Sequence, residues 1–244
     1  MKIEFFGNGG DVHSLNKINP SSFIITHRTF NILFDPGINC SSSLITENKN
    51  IRKIDVVCIT GEELEESGDL NTISYLKSYD GFDPHGFLIL KRSIKKNPKI
   101  LNASFFGNYE RVISLEDGDN VEIDNLYLKA VKSEVNEDKL NYIISSKKNN
   151  ILLVDSKESL YSIVERYKSR KFDTLIIKTN GFKIDEIKES LEHVCPKMAI
   201  FTMIPKEYHE EGLKDIIRKI NIKTKCNTTI SEKGLSIDLN AGLI

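Results

Sequence analysis

One stretch constrains this chain more than any other. Residues 54–70, Ile-Asp-Val-Val-Cys-Ile-Thr-Gly-Glu-Glu-Leu-Glu-Glu-Ser-Gly-Asp-Leu, start as an apolar run and end in a burst of carboxylates. Ile54, Val56, Val57 and Ile59 predict a buried strand, because β-branched side chains pack well on a pleated surface. Everything after Thr60 then sits at a strand end feeding a helix, which is where open α/β sheets place their chemistry. Ile73 and Leu76 recur at helical spacing after Asp69, which puts Glu62, Glu63, Glu65 and Glu66 on that helix's first turn. Carboxylates are favoured there by the helix dipole whether or not they bind anything.

The rest of the chain alternates strands and helices. Residues 2–6 predict a strand, and Gly7-Asn8-Gly9-Gly10 a turn that lets the backbone pass close to another segment. No Gly-Lys-Ser/Thr and no full dinucleotide fingerprint follows it, so as a phosphate signal it is weak. Residues 22–27 and 30–35 predict a hairpin joined at Arg28-Thr29. Residues 41–50 read as a short helix capped by its serines. Strands are expected at 86–91, 111–115, 120–123 and 126–131, the last three as a meander, and a second hairpin at 142–145 and 150–155. Asp155 reads as a cap for a helix over 159–168. A strand at 172–178, a helix carrying Ile184, Ile187 and Leu191, a strand at 196–203, a last helix with Leu213, Ile216, Ile217 and Ile220, and a closing strand at 237–239 complete the expectation.

Several of these segments together resemble the metallo-β-lactamase superfamily, whose members include ribonuclease Z and phosphodiesterase-like hydrolases. Phe6-Gly7-Asn8-Gly9-Gly10, Ser21-Ser22-Phe23 and Leu33-Phe34-Asp35-Pro36-Gly37 resemble its opening. The stretch from Thr60 resembles its first metal motif, Thr-His-x-His-x-Asp-His-x-Gly-Asp-Leu, with Thr60, Gly68, Asp69 and Leu70 in place. The ligands differ: Gly61 and Glu63 stand at the first two histidines, Glu65 at the aspartate and Glu66 at the third histidine. Val135 takes the place of the histidine of the second motif, and Met203 that of the histidine that closes the site after Pro196-Lys197. Val154-Asp155-Ser156 keeps the aspartate that bridges two metals in the family.

The resemblance covers nearly the whole of residues 1–244 and implies a single domain, a four-layer αββα sandwich of two mixed β-sheets flanked by helices. It also implies a degenerate site. Glycine offers no donor atom, and carboxylates are harder ligands than imidazoles, so a catalytic zinc pair is not expected. Gly61, Glu63, Glu65, Glu66, Val135, Asp155 and Met203 would line the former cleft. Its crowded carboxylates call for compensation: outward-turned glutamates, a protonated carboxyl, neutralisation by Lys132, Lys157 or Lys178, or a weakly held Mg²⁺ or Ca²⁺ on Glu63, Glu65, Glu66 and Asp155. The expected function is therefore that of an inactive binding module for a nucleotide-like small molecule or a protein partner. The alternative is a hydrolase or phosphodiesterase with a rebuilt, carboxylate-rich site.

Thirty-four basic against 35 acidic residues leave a net charge of −1, which argues against bulk DNA or an anionic membrane as partner. No apolar window reaches membrane length, so a cytoplasmic protein is expected, with a homodimer possible. Cys40, Cys58, Cys195 and Cys226 lie too far apart for a finger and read as buried free thiols. His13, His27, His85, His193 and His209 fall in no ligand position and read as structural or surface groups; His209 and His13, after the Met203 loop and the Gly-rich turn, draw most attention.

Overall fold

The computed structural model describes residues 1–10, 20–210, 212, 215, 217 and 226–240. Among these described residues, fourteen strands form two seven-stranded sheets. In the first, β14 (Ser236–Asp238), β1 (Lys2–Phe5), β2 (Phe23–His27), β3 (Phe30–Phe34), β4 (Val56–Cys58), β5 (Phe87–Lys91) and β6 (Arg111–Leu115) lie in that order. In the second the order is β13 (Asn227–Ile230), β12 (Met198–Thr202), β11 (Thr174–Lys178), β10 (Asn150–Val154), β9 (Leu140–Ser145), β8 (Leu126–Lys132) and β7 (Asn120–Ile123). Both sheets are mixed: β3 to β6 pair in parallel, as do β10 to β13, and the other pairs are antiparallel.

Alternation along the strands builds the layers. In β10, Ile151 and Leu153 join a core with Phe34, Val56 and Ile89 of the other sheet, whereas Leu152 and Val154 pack outward with Leu160, Ile163 and Leu191. Those last residues belong to helices α5 (Lys157–Arg166) and α6 (Ile184–Val194). The first sheet's outer face is covered by Cys40 and Leu44 of α1 (Cys40–Thr46) and Leu70 and Ile73 of α3 (Leu70–Ser78). Between these two helices lies the one-turn α2 (Leu64–Ser67), and α4 (Arg92–Lys96) follows β5 with Ile94 in the same outer core. The result is helix, sheet, sheet, helix.

Several expectations need correction. The segments 111–115, 120–123 and 126–131 are not one meander: β6 pairs with β5 at the edge of the first sheet, and β7 pairs with β8 in the second. The turn at 116–119 therefore crosses between sheets, steadied by Gly118 and Ala130 backbone bonds. The serines do not cap α1; its N-cap is Asn39 in the left-handed region without a side-chain bond, and Ser41 and Ser43 are buried within the helix. Asp155 does not cap α5. Ser156 does, its Oγ accepting the Ser159 N–H at 3.1 Å. Cys40, Cys58 and Cys226 are buried thiols, but Cys195 is exposed. Of the expected final helix, Leu213, Ile216 and Ile220 lie outside the described residues, as does His13, and nothing is described of the His209 side chain. His27, His85 and His193 are partly exposed or exposed, with His193 meeting the Tyr161 ring edge-on.

Candidate functional site

The parallel strands of both sheets deliver their ends to one rim. Thr60 O, after β4, accepts the N–H of Leu140 at the start of β9 (2.8 Å), and the Tyr142 hydroxyl donates to Ile59 O (3.1 Å). The two sheets are thus stitched together directly at this place.

Lys178 ends β11, where alternation after the inward Ile176 turns its side chain into the space between the sheets. Its Nζ lies 3.0 Å from Asp35 Oδ2 and 2.9 Å from Glu66 Oε1, and donates also to Thr60 Oγ1. Lys139, in the loop before β9, places its Nζ 3.0 Å from the same Glu66 oxygen and 2.7 Å from Glu63 Oε2. Thr60 completes the cluster, its N–H donating to Asp35 Oδ1 at 2.7 Å and its hydroxyl lying 3.0 Å from both Asp35 oxygens. Asp35, Glu66 and Lys178 side chains are all 3% exposed or less.

The electrostatics follow from that crowding. Burial alone would push the Glu66 carboxyl up, but the Lys178 and Lys139 charges overcome it and hold it at about 2. Burial works against the Lys178 ammonium too, yet Asp35 and Glu66 raise its pKa above the ordinary lysine value. Lys139 moves upward for a similar reason, burial being outweighed chiefly by Glu66. Asp35 goes the other way: burial outweighs the attraction of Lys178, Glu66 adds repulsion, and its pKa rises.

The residues that line the expected cleft fare differently. Glu66 is fully buried in the ion cluster, and its Oε2 has no hydrogen-bond partner. Gly61 abuts it: a Cβ there would lie 2.3 Å from Glu66 Oε2, so a larger residue would force this carboxylate to shift. Glu63 is exposed apart from its bond to Lys139. Glu65 is half-buried, and burial, then the charges of Glu63 and Glu66, raise its pKa. These glutamates lie in and before α2, not on the first turn of α3. Glu62 is committed elsewhere, its Oε1 accepting the N–H groups of Lys99, Ile100 and Leu101 at 2.6, 2.6 and 3.0 Å. Val135 lies on the surface, 58% exposed.

Asp155 follows β10, and continuing the register that pairs Val154 with Ile177 sets it beside Lys178. Its N–H donates to Asn141 Oδ1 at 2.9 Å, but both carboxylate oxygens are buried without a partner. Met203 is buried with φ +51°, a region that costs a non-glycine residue energy. Neighbours hold it there: its N–H donates to Ser21 Oγ at 2.6 Å and its carbonyl accepts the Thr179 hydroxyl at 3.2 Å. Gly10 passes so close that a Cβ would fall 2.1 Å from the Met203 carbonyl carbon. The Gly-rich turn therefore serves a backbone crossing.

Of the lysines expected to neutralise the cleft, only Lys178 reaches it. Lys132 lies 3.9 Å from Glu134 and Lys157 2.7 Å from Glu189, both at the surface. The sequence reading missed Lys139 and the ionic role of Asp35. Lys139 carries no local signal, because only the fold brings it across to Glu63 and Glu66.

A catalytic zinc pair does not fit these residues. Gly61 supplies no side-chain donor, the buried Met203 offers only a thioether, and ammonium groups stand among the carboxylates a cation would need. Among the described residues no group of three or more His, Cys, Asp or Glu side chains is placed to hold a metal.

The two mixed seven-stranded sheets between layers of helices define the class, a metallo-β-lactamase fold. The chain is similar to a metallo-β-lactamase fold protein, YhfI, from Bacillus subtilis, with TM-score 0.75 and 13% identity over 97% of this chain and 99% of that one. It is similar also to Zn²⁺-bound PqqB from Methylobacterium extorquens (TM-score 0.70, 12% identity, 98% and 100% covered). Human tRNase Z, short form, matches with TM-score 0.68 and 12% identity over 98% of this chain and 99% of that one. No family model and no curated protein sequence matches the chain. Among the described residues no helix is long and apolar enough to cross a membrane.

Proposed function

We propose that this protein is a catalytically inactive member of its fold that binds a nucleotide-like small molecule or a protein partner, through the former cleft or an outer face. The observation that carries the reading is the pair of ammonium groups, Lys139 and Lys178, converging on the one oxygen Glu66 Oε1. A lysine brings its positive charge to the carboxylates without offering a coordination position or ionising a water, which are the services a catalytic metal provides. The rim is held together, and the chemistry is left out. On this reading the protein needs no metal, works in the cytoplasm and has no use for a membrane or bulk DNA; pairing with a second copy is compatible with it.

Elemental analysis of the purified chain, combined with phosphodiester hydrolysis assays in Zn²⁺, Mn²⁺ and Mg²⁺, tests the proposal. The expected result is metal well below stoichiometric amounts and no turnover. Stoichiometric metal with turnover that disappears in Glu65→Ala would overturn it. Melting temperatures across a panel of nucleotides then separate a small ligand from a protein partner, since a ligand bound only by the folded state raises the transition by mass action.

A second reading has one observation in its favour. Glu66 Oε2 and both Asp155 oxygens are buried without hydrogen-bond partners, and buried acceptors left unsatisfied are costly. A hard cation such as Mg²⁺ on Asp155 and the neighbouring glutamates would relieve that cost and support a rebuilt hydrolase. The same assays decide between the two.

A further inference from the structure

The strand ends remote from Lys178 enclose a second recess. Cavities of about 640 and 310 Å³ lie there and share Lys148, Asp238 and Asn240, so they form one trough. Lys2 and Arg28 wall it on the first sheet's side; Lys147 and Lys148, at the turn between β9 and β10, wall it on the second. Lys148 precedes β10 and Asp155 follows it, so five residues of strand, about 16 Å, separate the trough from the rim.

The acids that line this trough, Asp173 and Asp238, and those beside it, Asp124 and Glu4, already have cations. Asp124 lies 3.3 Å from Arg28, Asp173 2.7 Å from Lys197, and Asp238 3.9 Å from the Met1 amino group. Glu4 serves both Lys2 at 3.1 Å and Lys49 at 2.7 Å. Lys147 and Lys148 have no acidic partner among the described residues. Their turn is held in shape, with Ser146 Oγ accepting the N–H groups of Lys148 and Asn149 at 3.3 and 3.2 Å, and Ser146 N–H bonding Asn149 O at 2.9 Å. In a chain of net charge −1 this surplus of positive charge is local.

We propose that the trough binds a small anion carrying two phosphates, one held by Lys147 and Lys148 and the other by Lys2 and Arg28 across the cavity. The solvent-exposed ion pairs that Lys2 and Arg28 make with Glu4 and Asp124 are weak enough for a phosphate to displace or share. Lysine and arginine make charge-assisted hydrogen bonds to phosphate oxygens, and the volume is that of a small-ligand pocket rather than of a single ion. The site shares no residue with the rim, so it stands or falls independently of the function proposed above.

Calorimetric titration of the full chain with inorganic pyrophosphate tests this, with orthophosphate and a short single-stranded RNA as comparators. Pyrophosphate is expected to bind, more tightly than orthophosphate, and more weakly as salt is added. The double variant Lys147→Ala/Lys148→Ala should lose about tenfold or more in affinity, as expected for removal of two phosphate contacts, while Lys147→Arg/Lys148→Arg keeps it. If the alanine pair disturbs the unliganded melting temperature, Arg28→Ala carries the same test from the opposite wall. No heat with pyrophosphate at millimolar concentration, equal affinity for orthophosphate, or binding undiminished by the variants would overturn the proposal. Tighter binding of the RNA through the same lysines would assign the phosphates to a nucleic-acid backbone and overturn the small-molecule assignment.

Discussion

Burying an ammonium is costly unless carboxylates are buried with it, and at the rim each partner needs the other. Lys178→Met leaves Asp35 and Glu66 facing one another without their shared cation, and the expected loss is about 3–5 kcal/mol in urea unfolding. Adding Glu66→Gln should recover part of that loss, since it removes one of the stranded charges. The pH dependence has a definite sign. Glu66 falls from an unfolded pKa of roughly 4.3 to about 2 in the fold. Its contribution is therefore complete above the unfolded value and disappears as pH drops toward 2. Asp35, raised by burial, acts oppositely: its contribution is complete below its unfolded pKa and fades as pH climbs through the folded one. Melting temperatures followed from pH 6 downward should show the acid loss in the wild type and a shallower one in Glu66→Gln. Asp155 behaves differently again. With both oxygens unpartnered, Asp155→Asn is expected to leave the melting temperature unchanged or raise it, and a clear fall would point to a bound cation.

At the scale of elements, the expectations succeeded where the signal was local and failed where it was not. The apolar run at 54–59 and the hairpins around Arg28-Thr29 and 146–149 were legible because strand patterning and turn residues are written in neighbouring positions. The assignment of β6 to the far edge of the other sheet was not, because its turn residues, 116–119, suit a hairpin and a crossover equally. Helix starts were misread for a related reason. Serine and aspartate both cap well, and the choice of Ser156 over Asp155 depends on strand β10 turning Asp155 inward. Ser156→Ala should cost about 1 kcal/mol in urea unfolding. Gly10→Ala, which drives a methyl into the Met203 backbone, should cost roughly 1–3 kcal/mol or more by the same measurement. Lys139 became visible only when β9 met the first sheet.

Across the whole molecule, the two sheets share a core built from both, Phe34 and Val56 packing with Leu153 and Tyr142. They are joined again at the rim by Leu140 N–H to Thr60 O and by Lys178 to Asp35 and Glu66. Scanning calorimetry is accordingly expected to give one endotherm, with its midpoint unmoved by a strong chelator; separate transitions, or a downward shift with chelator, would contradict the arrangement described. On the function proposed above, the clasp formed by Lys178 and Lys139, translated with the rest of the polypeptide, takes over the holding role of a metal. The amount of folded protein should then follow its own synthesis, in trace-element famine as in plenty.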